Sequence, residues 1–223
     1  MAKERFFEEG DLEARIARLE EQMGALGGDS TLRNLPYGTL KQAASSLDLR
    51  SMGNPLGGAY PAATLNGSIS LTAFSLTANN LHAVPFYLPS PRTASRIGTY
   101  ITINVSGNAH LGIYEDKGED LLYPGKLKLD AGVVSHATTG VKGIDIKIGL
   151  PRGLYWLVIL PSGSPQVRAI AIASAWTPLG CNESGTEYSI YRVAQAYGSL
   201  PSLFPAGAVE EAQNPPFIFL KFS

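Results

Sequence analysis

From about Ala63 onward the apolar residues of this chain recur at every second position, and that period constrains the fold more than any other feature of the sequence. In RIGTYITINV, Ile97, Thr99, Ile101, Ile103 and Val105 share one face. In KGIDIKIGL, Ile144, Ile146, Ile148 and Leu150 share one face, with Asp145 and Lys147 on the other. Side chains alternate across a strand with this period, so both segments predict half-buried strands. GLYWLVIL, which follows Pro151 and begins at Gly153, is continuously apolar, as a strand covered on both sides must be. VRAIAIASAW alternates again through Ile170, Ile172 and Trp176, and further strands are predicted at 67–77, 109–114, 126–134, 187–195 and 216–222. Eight or nine short strands divided by Gly, Pro and Asn turns predict an all-β fold, an antiparallel two-sheet sandwich that is jelly-roll-like. With 24 glycines and 15 prolines, the composition suits many turns better than long helices. At 223 residues the chain can bury a sizeable core without disulfide or metal.

Residues 1–28 depart from this pattern. In DLEARIARLEEQMGAL, Leu12, Ile16, Leu19, Met23 and Leu26 follow the alternating spacings of four and three of a coiled-coil seam. Asp11 is placed to cap the helix and Gly27-Gly28 to stop it. The competing reading is an amphipathic helix packed on its own domain, but polar residues fill the rest of the wheel, which favours oligomerisation. About two heptads are marginal alone, so an oligomer would need contacts in the body as well. Residues 29–63 read as an extended connector with one short helix near Leu40 to Leu49, and residues 64–223 as the sandwich body.

The 18 basic and 19 acidic residues leave a formal charge of -1, so no nucleic-acid partner is expected. The opening residues hold no apolar segment behind a basic start, and no window approaches 18 uninterrupted apolar residues. Neither a signal peptide nor membrane insertion is therefore expected. Cys181 is the only cysteine, which excludes an intrachain disulfide.

The stretch YEDKGEDLLYPGKLKLDAG concentrates acid. Glu115, Asp116, Glu119, Asp120 and Asp130 could ligate calcium, but their spacing is not that of an EF-hand, and a solvated connection between strands is the better reading. Carboxylates within one turn also fit poorly as a glycosidase pair, which straddles a cleft. His82, His110 and His136 lie in no metal-binding pattern and are expected at the surface or in turns, His110 on an outward face. No GxSxG elbow or phosphate loop is present, and Cys181 has no recognisable partner. Tyr155, Trp156, Trp176, Tyr188 and Tyr191 could stack on sugars, but strand aromatics are more often core. No catalytic residue, metal or cofactor is expected. Any ligand contact is expected in exposed loops at one end of the sandwich, at Tyr114, Asp116, Asp120 and Tyr123.

The run from Arg96 to Leu160 resembles a β-sandwich domain common in virion proteins of tailed bacteriophages, particularly tail-fibre, tail-tip and other appendage proteins. The elements that carry the resemblance are LGIY (Leu111 to Tyr114), the acidic loop 115–122, YPG (Tyr123 to Gly125), LKLDAG (Leu127 to Gly132), TTGVK (Thr138 to Lys142) and LPRGLYWL (Leu150 to Leu157). They cover about a third of the chain, and EDKGEDLL is more acidic and slightly longer than the usual pattern. The resemblance implies a non-enzymatic structural protein of the virion, assembled in the host cytoplasm. It implies a homo-oligomer, a trimer by family expectation, attached to other virion proteins through its N-terminal region and able to meet a host-surface glycan. Ile at a with Leu at d leans instead toward dimers, although Met23 dilutes that signal. The rival readings are a capsid decoration or head-fibre protein and, from another class, a carbohydrate-active enzyme or free carbohydrate-binding module.

Overall fold

The computed structural model describes residues 59–61, 70–88, 90–118, 122–171, 179 and 186–223. The heptad residues Leu12, Ile16, Leu19, Met23 and Leu26 and the short helix expected at 40–49 lie outside the described residues. Among those described there are twelve strands and no helix: β1 (Ala59–Pro61), β2 (Leu71–Ser75), β3 (Asn80–Leu88), β4 (Arg92–Ile103), β5 (Asn108–Asp116), β6 (Pro124–Ser135), β7 (Gly140–Leu150), β8 (Gly153–Pro161), β9 (Gln166–Ile170), β10 (Ile190–Ala194), β11 (Val209–Glu211) and β12 (Ile218–Phe222).

Every strand pairing is antiparallel, and four of the pairings are nested: β5 with β6, β4 with β7, β3 with β8, and β2 with β9. The chain from Leu71 to Ile170 is therefore one long hairpin folded over into two layers. The first sheet holds β2, β9, β4 and β7; the second holds β3, β8, β5 and β6. Later strands widen both. β12 joins the first sheet beside β4 and carries β1, formed by residues of the stretch read as connector, while β10 and β11 extend the second sheet beyond β3.

The expected alternation holds where the strands are flanked. Ile97, Thr99 and Ile101 of β4 are fully buried between the sheets, and the Thr99 hydroxyl donates to the Phe217 carbonyl at 2.8 Å. Ile103 and Val105 do not join them, being 55% and 39% exposed, because β4 ends at Ile103 and the apolar spacing runs past the sheet. On β8, Tyr155, Leu157 and Ile159 face the inter-sheet core, whereas Leu154, Trp156, Val158 and Leu160 enter a second apolar layer on the outer face. That double coverage accounts for its unbroken apolar run. Each such side chain contributes about 1.5–3 kcal/mol by leaving water.

Strand β3 has the same two-sided burial but was not expected, because Pro85 interrupts NLHAVPFYL. The proline is tolerated because β10 pairs only with Asn80 to Ala83, so at Pro85 only β8 flanks the strand. The expectation that the histidines lie at the surface or in turns fails at His82, while His136 does lie in the connection between β6 and β7 but is buried there. His82 sits on the inward face of β3 and is fully buried. His136 follows β6, also fully buried, with Nδ1 2.7 Å from the Val105 carbonyl. His110 is half-buried on the outer face, with Nδ1 3.5 Å from Asp130 Oδ1.

Candidate functional site

The outer face of the second sheet is where the sequence-selected residues meet. β5, β8 and β10 turn Tyr114, Trp156 and Tyr191 to this face, the β5–β6 connection adds Tyr123, and residues 195–208 cross over them as a strap carrying Leu200 and Phe204. The rings meet edge to face or tilted: Trp156 to Tyr191 at 5.5 Å, Tyr123 to Tyr191 at 5.0 Å, Tyr114 to Phe204 at 5.4 Å and Tyr123 to Phe204 at 5.6 Å. These separations suit the ring quadrupoles.

Polar atoms fasten the strap. Tyr114 Oη donates to the Pro201 carbonyl and Tyr123 Oη to the Pro205 carbonyl, both at 2.6 Å. The amides of Leu127 and Phe204 bond the carbonyls of Ser202 and Gly125, each at 2.9 Å, so the strap adds to the β6 edge. Burial first, and Asp130 second, push the Tyr114 phenol well above its ordinary range. Burial and then Glu210 do the same for Tyr191, which donates to Glu210 Oε1 at 3.0 Å. Both phenols stay protonated and act as donors. Loss of the Tyr114 hydroxyl leaves the Pro201 carbonyl without its donor, so Tyr114→Phe is expected to cost about 1–2 kcal/mol. Thermal unfolding would read this as a melting point a few degrees lower; an unchanged value would mean that this bond does not hold the strap.

The acidic stretch is distributed among separate partners. Glu115 pairs with Lys128 at 2.7 Å. Asp116 accepts the Trp156 indole N–H at 2.8 Å on one oxygen and the Gly118 amide at 3.1 Å on the other. Asp130 accepts the amides of Gly132 at 3.0 Å and Leu200 at 3.1 Å. Among the described residues no three His, Cys, Asp or Glu side chains converge on a metal-sized position. Glu119 and Asp120 lie outside the described residues.

Of the four residues selected for ligand contact, the structure places Tyr114 and Tyr123 beneath the strap and Asp116 on the Trp156 indole: Tyr114 is fully buried and the other two are half-buried. Their arrangement positions a loop. Sequence reasoning did not select Leu200 and Phe204; the available signal was SLPSLFPAG, a proline-flanked stretch too apolar for a solvated loop. Comparison with protein-family models, curated proteins and solved structures finds no match to this chain.

Proposed function

We propose that this chain is a non-enzymatic structural protein of a tailed-phage virion, an oligomeric appendage component attached through its N-terminal region with its sandwich body outward. The observation that carries this reading is the ordered run from LGIY to LPRGLYWL. LGIY lies in β5, LKLDAG in β6, TTGVK at the turn into β7 and GLYWL in β8. The nested pairings support it further, since they are those of a jelly roll, an architecture used by viral capsid and lectin domains. The acidic residues described at the β5–β6 connection are bound to local partners, which fits a connection between strands better than a reactive pair.

The test is a cryo-EM map of intact particles of the source virus. Density on a tail fibre or tail tip supports the appendage reading, and density across capsomer junctions would replace it with capsid decoration. Absence from the particle, together with hydrolysis of host polysaccharide by the purified protein, would put the enzyme reading in its place.

A further inference from the structure

The two sheets end side by side at β6 and β7, and the two edges are finished differently. The β6 edge is broken by three register irregularities against β5 and is capped in part by the strap. Strand β7 pairs with β4 alone among the described residues, runs eleven residues without proline, and keeps Ile144, Ile146 and Ile148 only partly buried against the core. Its single register irregularity against β4, between Asp145 and Ile148, leaves covered and exposed side chains alternating from Ile144 to Leu150. Of its charges, Asp145 and Lys147 are exposed, while Lys142 lies opposite Thr99 near the start of the strand and turns its ammonium to the Thr138 hydroxyl, so the inner face is apolar from Ile144 to Leu150. A long edge of this kind presents N–H and C=O groups to another strand, and from Ile144 to Leu150 it lacks the inward charge or proline that blunts edges.

The sequence of β7 indicates which strand it fits. Gly143-Ile144-Asp145-Ile146-Lys147-Ile148-Gly149 reads alike in both directions, except that the mirror positions 145 and 147 carry opposite charges. Antiparallel pairing of two copies about Ile146 sets Ile144 against Ile148 and glycine against glycine. On the opposite face it sets Asp145 against Lys147 twice, at the roughly 5 Å spacing where opposite charges are favourable. A shift of one residue would turn one copy's isoleucines to the solvent face. A shift of two would set Asp145 or Lys147 against its own copy. Asp145 already accepts Arg96 at 2.6 Å on one oxygen, yet its side chain remains 82% exposed, leaving the other oxygen for a partner.

We propose that β7 is an interface with a second copy of this chain, paired antiparallel about a two-fold axis at Ile146, so that the two β7-bearing sheets become one continuous sheet. This contact does not rest on the virion reading and holds whatever number of chains the N-terminal region joins. Light scattering on the full-length protein at micromolar concentration should give an even multiple of the 23.7 kDa chain mass. Lys147→Asp and Asp145→Lys, each at an exposed position and each checked for folding by circular dichroism, should separately halve that mass. Mixing the two variants, or combining both changes in one chain, should restore it, because each restores opposite charges at the mirror positions. In a Cys181→Ser background, Ile146→Cys should oxidise to a cross-linked pair. A wild-type mass of one chain or an odd number of chains would overturn the proposal, including when another segment or protein covers β7. So would a Lys147→Asp mass equal to wild type, or a mixture that fails to reassemble.

Discussion

Trp156→Ala is expected to lower stability by about 3–5 kcal/mol, among the largest losses available to a single substitution in this fold. Trp156 is fully buried on β8, opposite Pro85 on one neighbouring strand and Tyr114 on the other. Its ring packs against Tyr191, and its indole N–H is held by Asp116 at 2.8 Å. Truncation opens a cavity beneath the strap and removes the indole donor to one oxygen of the half-buried Asp116 carboxylate, so two penalties act together. Thermal unfolding of the variant should show a melting point lower by about 10 °C or more. Trp156→Phe, which keeps a ring and removes only the donor, should fall between the two. A sugar-stacking platform predicts the opposite pattern, with loss of carbohydrate binding and little loss of stability. A Trp156→Ala melting point within about 2 °C of wild type would sink the assignment of this residue to a covered aromatic layer.

The same two-sided burial decides which parts of the fold were legible in the sequence. β7 was readable because one face is apolar and the other meets water, and β8 because an unbroken apolar run between turn residues requires cover on both faces. β3 is buried just as deeply, but burial on both faces removes the alternation, and Pro85 argues against a strand until it is known that β10 stops at Ala83. The site was less legible because its parts are far apart in sequence. The Asp130 bond to Leu200 spans 70 residues, and the Tyr114 bond to Pro201 spans 87. No local pattern announces that a proline-flanked strap will cover the outer face of the second sheet. Tyr114, Asp116 and Tyr123 were selected as ligand contacts in exposed loops, whereas Tyr114 is buried and Tyr114 and Tyr123 are tied to the strap.

His82→Leu is expected to raise stability, and to raise it more as the pH falls. His82 occupies an inward position of β3, is fully buried, and has no hydrogen-bond partner for either ring nitrogen among the described residues. Phe74 meets its ring edge-on at 5.4 Å, and Arg192 is its register partner on β10. Burial first, and the Arg192 charge second, hold its pKa down at about 3, against 6.5 for an ordinary histidine. The folded chain thus keeps His82 neutral at pH values where the unfolded chain takes up a proton. Its effect on stability is flat above about pH 6.5 and becomes steadily unfavourable below it, by about 1.4 kcal/mol per pH unit, until the folded-state pKa is reached. At pH 4.5 the loss relative to pH 8 amounts to about 2–3 kcal/mol. Leucine fills similar space, titrates nowhere and removes two unsatisfied polar atoms, so His82→Leu should already gain about 1 kcal/mol at pH 8. Its margin over wild type should then widen by the titration amount on acidification. Every other residue is the same in both proteins, so the difference between the two denaturation curves isolates position 82. A margin that stays constant from pH 8 to pH 4.5 would mean that His82 finds a partner or a proton in the folded chain, and its burial would no longer account for any acid sensitivity of the sandwich.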